Sequence, residues 1–299
     1  MPDEACRRQE PTGAPAAETY PLDRGGYHRL LMSSCQPLRR LVASAVLALV
    51  LLAPQAHGQS TLRLPWPVFG KIPSATYDEK GHRVGDARLD IMKLPGGNTY
   101  IMASTGIAGA ESMTLSAELT PDDGGLTLRP LWQMSHSYDK KGNSLGVMFI
   151  DHDKGEAFCS HEDGNPAPPD KLLIPQPDRV AHVVLNLLFL PLARGETDEI
   201  KFQFLLCALG PRFVDAKATV ANHLPGRDGG DPLVEVHYEL DLNPVLAALA
   251  RPFLPQFAFW FDPLARDPWV AHRMPLASKG PAVLILRTGV PPSALKAEP

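Results

Sequence analysis

Apolar and polar positions alternate one by one over residues 85–92, with Ala87, Leu89 and Ile91 on one side and Asp86, Arg88 and Asp90 on the other. A period of two marks a strand with one buried face. Pro95-Gly96-Gly97-Asn98 supplies turn chemistry and residues 99–104 resume the strand pattern, so this stretch reads as a hairpin. Ala75-Thr76-Tyr77-Asp78 precedes it as an opening strand that runs into the turn around Gly81. Residues 113–119, 126–138 and 144–150 continue the series, broken by Asp122-Asp123-Gly124-Gly125 and Asp139-Lys140-Lys141-Gly142-Asn143. Strand patterns return at 199–206, 212–221 and 233–241, and three closing strands follow at 256–261, 268–274 and 281–287. Connections this short leave no room for crossover helices, so each strand is expected to pair antiparallel with its neighbour in sequence.

Two segments depart from this period. After a polar, Pro-rich loop over 151–177, Asp178 is placed to cap a helix in which Val180, Val183, Val184, Leu187 and Leu188 recur at helical spacing, ending at Pro191. Its apolar character runs nearly all round, which places it in an interior, inside the concave face of a curled sheet. A second, shorter helix is expected over 243–251, capped by Asn243 with Pro244 in its first turn. The fold class is therefore mainly β: a curved antiparallel meander sheet or half barrel around one buried helix, plus a second short helix.

Residues 41–53 form an uncharged apolar run, preceded by Arg39 and Arg40 and followed by Ala56-His57-Gly58. This is the layout of a secretory signal, and at about 1.5 Å per residue the run is too short for a hydrocarbon core of about 30 Å. The expected division is a disordered or upstream extension over 1–31, a signal peptide over 32–58 that starts at Met32, one exported β domain over 59–288, and a frayed tail over 289–299. The protein is accordingly expected in the periplasm or secreted, soluble after cleavage. Net charge is −4 with no basic stripe, which argues against nucleic acid as a partner. Of the four cysteines, Cys159 and Cys207 follow the cleavage site, and two readings stand: a disulfide to one another, or two separate small apolar residues.

Three short stretches carry a resemblance. They are Gly81-His82-Arg83-Val84-Gly85-Asp86-Ala87-Arg88-Leu89, Leu190-Pro191-Leu192-Ala193-Arg194-Gly195-Glu196-Thr197 running straight into a strand, and Ala271-His272-Arg273-Met274-Pro275-Leu276. Together with the meander, they resemble an uncharacterised bacterial periplasmic β-rich family known only as a domain of unknown function. The resemblance covers roughly residues 72–288 and implies a strongly curved sheet around a helix, similar to lipoprotein-carrier and lipocalin-like half barrels. It implies no catalytic residues, and the chain departs from it in the loop 163–177 and in its aromatic closing strands.

Candidate chemistry is sparse. Asp151-His152-Asp153 and Cys159-Ser160-His161-Glu162-Asp163 gather metal-compatible side chains, but a single Cys-x-His lacks the second pair of a closed zinc site, so a solvated turn is the reading and no metal is expected. There is no Gly-x-Gly-x-x-Gly, Walker loop or His-Glu-x-x-His, and no Gly-x-Ser-x-Gly is read between a strand and a helix, so no cofactor and no catalytic residue are expected. Val183, Leu187, Phe257, Phe259, Trp260 and Phe261 either fill the core or line a cleft for an apolar ligand. The leading expectation is a non-catalytic envelope protein that binds or carries a lipid or other apolar small molecule. A structural role with an envelope protein as partner is the first alternative, and an envelope hydrolase is the second.

Overall fold

The computed structural model describes residues 62–160, 170–207, 211–225, 232–240, 257–276 and 282–295. The expected helix over 243–251, the signal over 32–58 and residues 1–31 lie outside them. Fourteen antiparallel strands form one open sheet. The first eight are β1 (Gly70–Tyr77), β2 (Arg83–Lys93), β3 (Thr99–Gly106), β4 (Ser112–Asp122), β5 (Thr127–Tyr138), β6 (Ser144–Asp151), β7 (Glu156–Cys159) and β8 (Asp170–Leu173). The other six are β9 (Glu199–Leu206), β10 (Arg212–Leu224), β11 (Leu233–Leu240), β12 (Phe257–Phe261), β13 (Trp269–Pro275) and β14 (Ala282–Arg287).

Each group is a meander, and the two meet where β1 pairs with β14 through Ser74↔Arg287, Thr76↔Ile285 and Tyr77↔Leu284. Strands β8 and β9 therefore become the two outer edges. Neighbour pairing holds elsewhere, but β8 and β9, adjacent in sequence, lie at opposite ends of the sheet. The connection between them has to cross from one end to the other. It does so with one kinked helix, α1 (Leu185–Leu188) and α2 (Leu190–Ala193), joined at Phe189.

This helix is shorter at its start, and longer at its end, than the expected span of 179–190. Val180 has extended backbone, at φ −86° and ψ 119°, because it and Ala181 run beside β9: Val180 forms a parallel bridge with Gln203, and the Ala181 N–H donates to the Gln203 carbonyl at 3.0 Å. Pro191 does not stop the helix, since it falls in the first turn of α2, where the missing N–H would have no helical partner. Leu185, Leu187, Leu188, Phe189, Leu190, Leu192 and Ala193 are all buried, in keeping with an interior helix.

They share one core with the face of the sheet that carries Ile72, Leu89, Ile101, Ala117, Phe202, Val236 and Phe259. One face of both meanders thus wraps the helix and is the concave side. On the opposite side of β10–β14, Leu224, Leu233, Trp260, Val270 and Leu286 form a second core, which Leu295 of the turn Pro292–Leu295 joins where a frayed end was expected.

A third cluster shows how the sheet ends. Met148, Ile150, Ala157 and Cys159, on the concave side of β6 and β7, pack with Leu205 and Phe213, whose side chains leave β9 and β10 on the convex side. The β6–β8 end therefore laps over the outside of the β9 end, as in a scroll. The disulfide Cys159–Cys207, with Cα atoms 5.7 Å apart, ties the overlap.

Candidate functional site

The alternation Phe257-Ala258-Phe259-Trp260-Phe261 sends three phenylalanines to the concave side and Ala258 and Trp260 to the convex one. Beside them the same parity brings Tyr238 from β11 and Phe202 and Phe204 from β9 to the concave side. Their rings form a continuous belt. His182 stacks on Phe204 at 4.2 Å between centroids, Phe204 lies 6.0 Å from Tyr238, and Tyr238 stacks on Phe257 at 4.5 Å. Tyr238 also reaches Phe259 at 6.4 Å, Phe259 stacks on His272 at 5.3 Å, and His272 lies 5.5 Å from Trp269.

One end of the concave side is filled. Phe189 of the helix meets Phe202 edge-on at 5.7 Å and Phe259 at 5.1 Å, and Phe189, Phe202 and Phe261 are fully buried. The other end is less filled among the described residues: Leu206, Leu240, Phe257 and Met274 from β9, β11, β12 and β13 pack on the core yet keep partial exposure. Ala103 and Leu115 of β3 and β4, with Ile107 just after β3, do the same on the other meander. Among the described residues, the helix Leu185–Ala193 does not reach this apolar end.

The belt is electrically neutral. Burial holds the His182 imidazole down to about 3 and that of His272 to about 4, and pushes the Tyr238 phenol well above its ordinary range. Both histidines are surrounded by protein but keep part of their surface accessible, as residues in a cleft wall do. The Nδ1 atoms of His182 and His272 and the indole N–H of Trp269 have no hydrogen-bond partner among the described residues.

Gln133 fixes the crossover segment against the sheet. This fully buried side chain accepts from the backbone N–H groups of His182 and Val183, each at 2.9 Å, and donates to the Val180 carbonyl at 3.1 Å. Its amide nitrogen also lies 2.8 Å from His152 Nε2.

Of the residues expected at a ligand site, Phe257, Phe259 and Phe261 share the concave belt, and Val183 and Leu187 are buried at its base, Val183 just before the helix and Leu187 within it. Trp260 does not join them: it is 2% exposed on the convex side, with the Arg273 guanidinium 5.7 Å from its ring. Cys159 and Cys207 form the expected disulfide. Cys159 is thus no thiolate ligand, and residues 161–163 of the metal-compatible stretch lie outside the described residues.

No spacing in the sequence marks His182, His272 or Gln133 as site residues, and one motif sits in an unexpected place. Gly142-Asn143-Ser144-Leu145-Gly146 carries the letters of a nucleophile elbow, but in the turn between β5 and β6. There Ser144 Oγ lies 2.8 Å from His136 Nε2, and the Tyr138 hydroxyl lies 2.9 Å from His136 Nδ1. A serine and an imidazole meet, yet the third group is a phenol in place of a carboxylate that would stabilise the imidazolium. Ser144 is exposed at a hairpin tip, where neither a strand-to-helix turn nor a helix N-terminus presents backbone donors to an oxyanion.

No protein-family model matches the chain, and no curated protein matches it. Among solved structures it is similar to a beta-barrel-like protein of domain of unknown function DUF1849 from Brucella abortus, at 9% identity and a TM-score of 0.43, over 75% of this chain and 97% of that one.

Proposed function

We propose that this protein binds an elongated apolar molecule in the less filled end of its concave face and acts without catalysis, as a carrier or accessory factor in the cell envelope. One observation carries the reading: Leu206, Leu240, Phe257 and Met274 are continuous with the core but partly exposed inside the curl, at the end that the helix, among the described residues, leaves unfilled. Apolar walls with few polar groups are what ligand clefts present. The disulfide supports an oxidising compartment, and no helix among the described residues is long and apolar enough to cross a membrane. The test is native mass spectrometry of protein purified from its own host, followed by thermal unfolding after delipidation and again after adding envelope lipid extract. Co-purifying lipid and a rise in Tm on adding extract are expected. Neither appearing would overturn the reading.

A second reading rests on a different surface. Tyr100, Trp132, Phe149 and Phe158 form a half-exposed aromatic row across the convex side of β3, β5, β6 and β7, with successive centroids 6.0, 6.1 and 5.4 Å apart, and Leu173 at the β8 edge is 81% exposed. A partner protein crosslinked to this row, with no lipid bound, would favour the structural role. Labelling of Ser144 by a fluorophosphonate probe would favour the hydrolase, and none is expected.

A further inference from the structure

We propose that the rim at the filled end of the sheet docks on a lipid bilayer of neutral headgroups, which leucines at the tips of its turns enter. Among the described residues, the large apolar side chains that stand most exposed are Phe69 at 41%, Met92 at 40%, Leu126 at 78%, Leu173 at 81% and Leu264 at 73%. All of them lie at one end. Antiparallel pairing puts the start of β1, the ends of β2, β4 and β8 and, through β14 and β13, the end of β12 on the same side, and these side chains stand in or beside those positions. This is the end at which Phe261 is fully buried, opposite the one that carries Leu240, Phe257 and Met274, so the inference does not depend on what the concave face binds.

Turn chemistry holds the tips outward. Gly124 and Gly125, with left-handed φ of 69° and 91°, reverse the chain after β4 and leave Leu126 exposed where a turn ordinarily carries a small or polar residue. The Trp66 indole N–H donates to the Gly125 carbonyl at 2.9 Å, and its ring lies 6.4 Å from that of Phe69, so the segment leading into β1 braces this turn and adds both aromatic residues to the same stretch of rim. Between β12 and β13 the Asp262 carboxylate accepts from the backbone N–H groups of Leu264 and Ala265, at 3.0 and 3.1 Å, which fixes the turn that displays Leu264. Tips on braced turns are ordered beforehand, so little freedom is lost on insertion.

A bilayer fits this arrangement better than a protein does. The tips belong to separate elements, from β8 at one edge to the β12–β13 turn in the other meander, with charged residues between them. A protein partner needs one contiguous, close-packed contact. Hydrocarbon accepts an apolar side chain wherever it projects, and a tryptophan whose N–H is already satisfied suits the headgroup boundary. Charge decides which bilayer. Asp122 and Asp123 flank Leu126, and Asp123 pairs with Arg63 at 2.9 Å; Asp262, Arg266 and Asp267 surround Leu264, and Asp267 pairs with Arg287 at 3.1 Å. Charges beside the two tips balance or run slightly acidic, so anionic lipid finds no surplus cation there.

The test is flotation of the purified protein with vesicles of phosphatidylcholine, alone or mixed with phosphatidylglycerol, at low and at high salt. Binding to the neutral vesicles is expected, no stronger with phosphatidylglycerol and no weaker at high salt. Leu126→Asn and Leu264→Asn should each weaken it about tenfold, the increment of one leucine taken largely out of water, and should leave Tm nearly unchanged because both side chains are exposed. Leu126→Trp should add a blue-shifted emission that phosphatidylcholine brominated on its acyl chains quenches, which separates entry of the tip from uptake of lipid by the concave face. Binding that requires phosphatidylglycerol and fades with salt, binding that both asparagine variants retain, or no binding to either vesicle would overturn the rim. Lipid uptake without quenching of the added tryptophan would overturn it too and leave the apolar concave site standing. So would a protein crosslinked at the rim in the absence of vesicle binding.

Discussion

Gln133 illustrates what a residue can do that its sequence position hides. Within β5 the apolar letters Trp132 and Met134 alternate with Gln133, Ser135 and Ser137, so the pattern assigns Gln133 to solvent. A bulge in the pairing with β4, where Glu118↔Trp132 gives way to Leu119↔Pro130, exchanges the two faces, and Gln133 turns inward while Trp132 and Met134 turn out. Replacing it with Leu would leave the His182 and Val183 N–H groups without their acceptor. The expected cost is about 2 to 5 kcal/mol in urea unfolding. His182 and His272 add a dependence on pH. Both are held neutral when folded, protonating only near 3 and 4, against 6.5 for an ordinary histidine. As pH falls below 6.5 the unfolded chain takes up protons that the folded one refuses, so their contribution is whole above 6.5 and is lost progressively down to about 4 for His272 and about 3 for His182. Thermal unfolding at pH 7.5 and pH 5 should show the lower Tm at pH 5, and His272→Phe should shrink the difference. No spacing in the sequence marks these histidines, because what perturbs them is the sheet's curl and not their neighbours in the chain.

Among the elements, the twelve longer strands were legible because each alternates over several residues between turn-forming clusters. β7 and β8 were not: at four residues each they hide inside a polar, Pro-rich stretch, although Ala157 and Cys159 do alternate with Glu156 and Phe158. Nor was the pairing of β1 with β14, which no local signal specifies. The crossover helix was legible as a buried helix but not in its limits, because Gln133 and β9 claim the backbone groups at 180–183. The disulfide belongs to this scale too, since it ties one end of the sheet to the other across 48 residues. A loop of that length implies about 4 kcal/mol of stabilisation from chain entropy, near the top of the usual range. Cys159→Ser paired with Cys207→Ser should lose about 2 to 4 kcal/mol in chemical denaturation, and adding reductant to the wild type should reproduce that loss but leave the double variant unaffected.

At the scale of the whole molecule the question is which part of the concave side is filled. Phe259, 6% exposed and ringed by Phe189, Tyr238, Phe261 and His272, is core, so Phe259→Ala should cost about 3 to 5 kcal/mol with or without ligand. Phe257, partly exposed at the less filled end, should cost less than about 2 kcal/mol when replaced by Ala, and that variant should instead lose the rise in Tm that added lipid gives the wild type. The sequence put both in one aromatic cluster; only the placement of the helix separates them. The junction of β1 with β14 has a mechanical consequence. Gly70 opens β1 and Arg287 closes β14 at the same end of the ladder they share. Tension applied directly at Gly70 and Arg287 would therefore load that ladder one hydrogen bond at a time, as a zipper, and not all together in shear. The scroll would part down its middle at low force into its two meanders, while the cystine held the far ends together. In an optical trap, extension should come in two portions, with the residues between Cys159 and Cys207 released only once reductant is added.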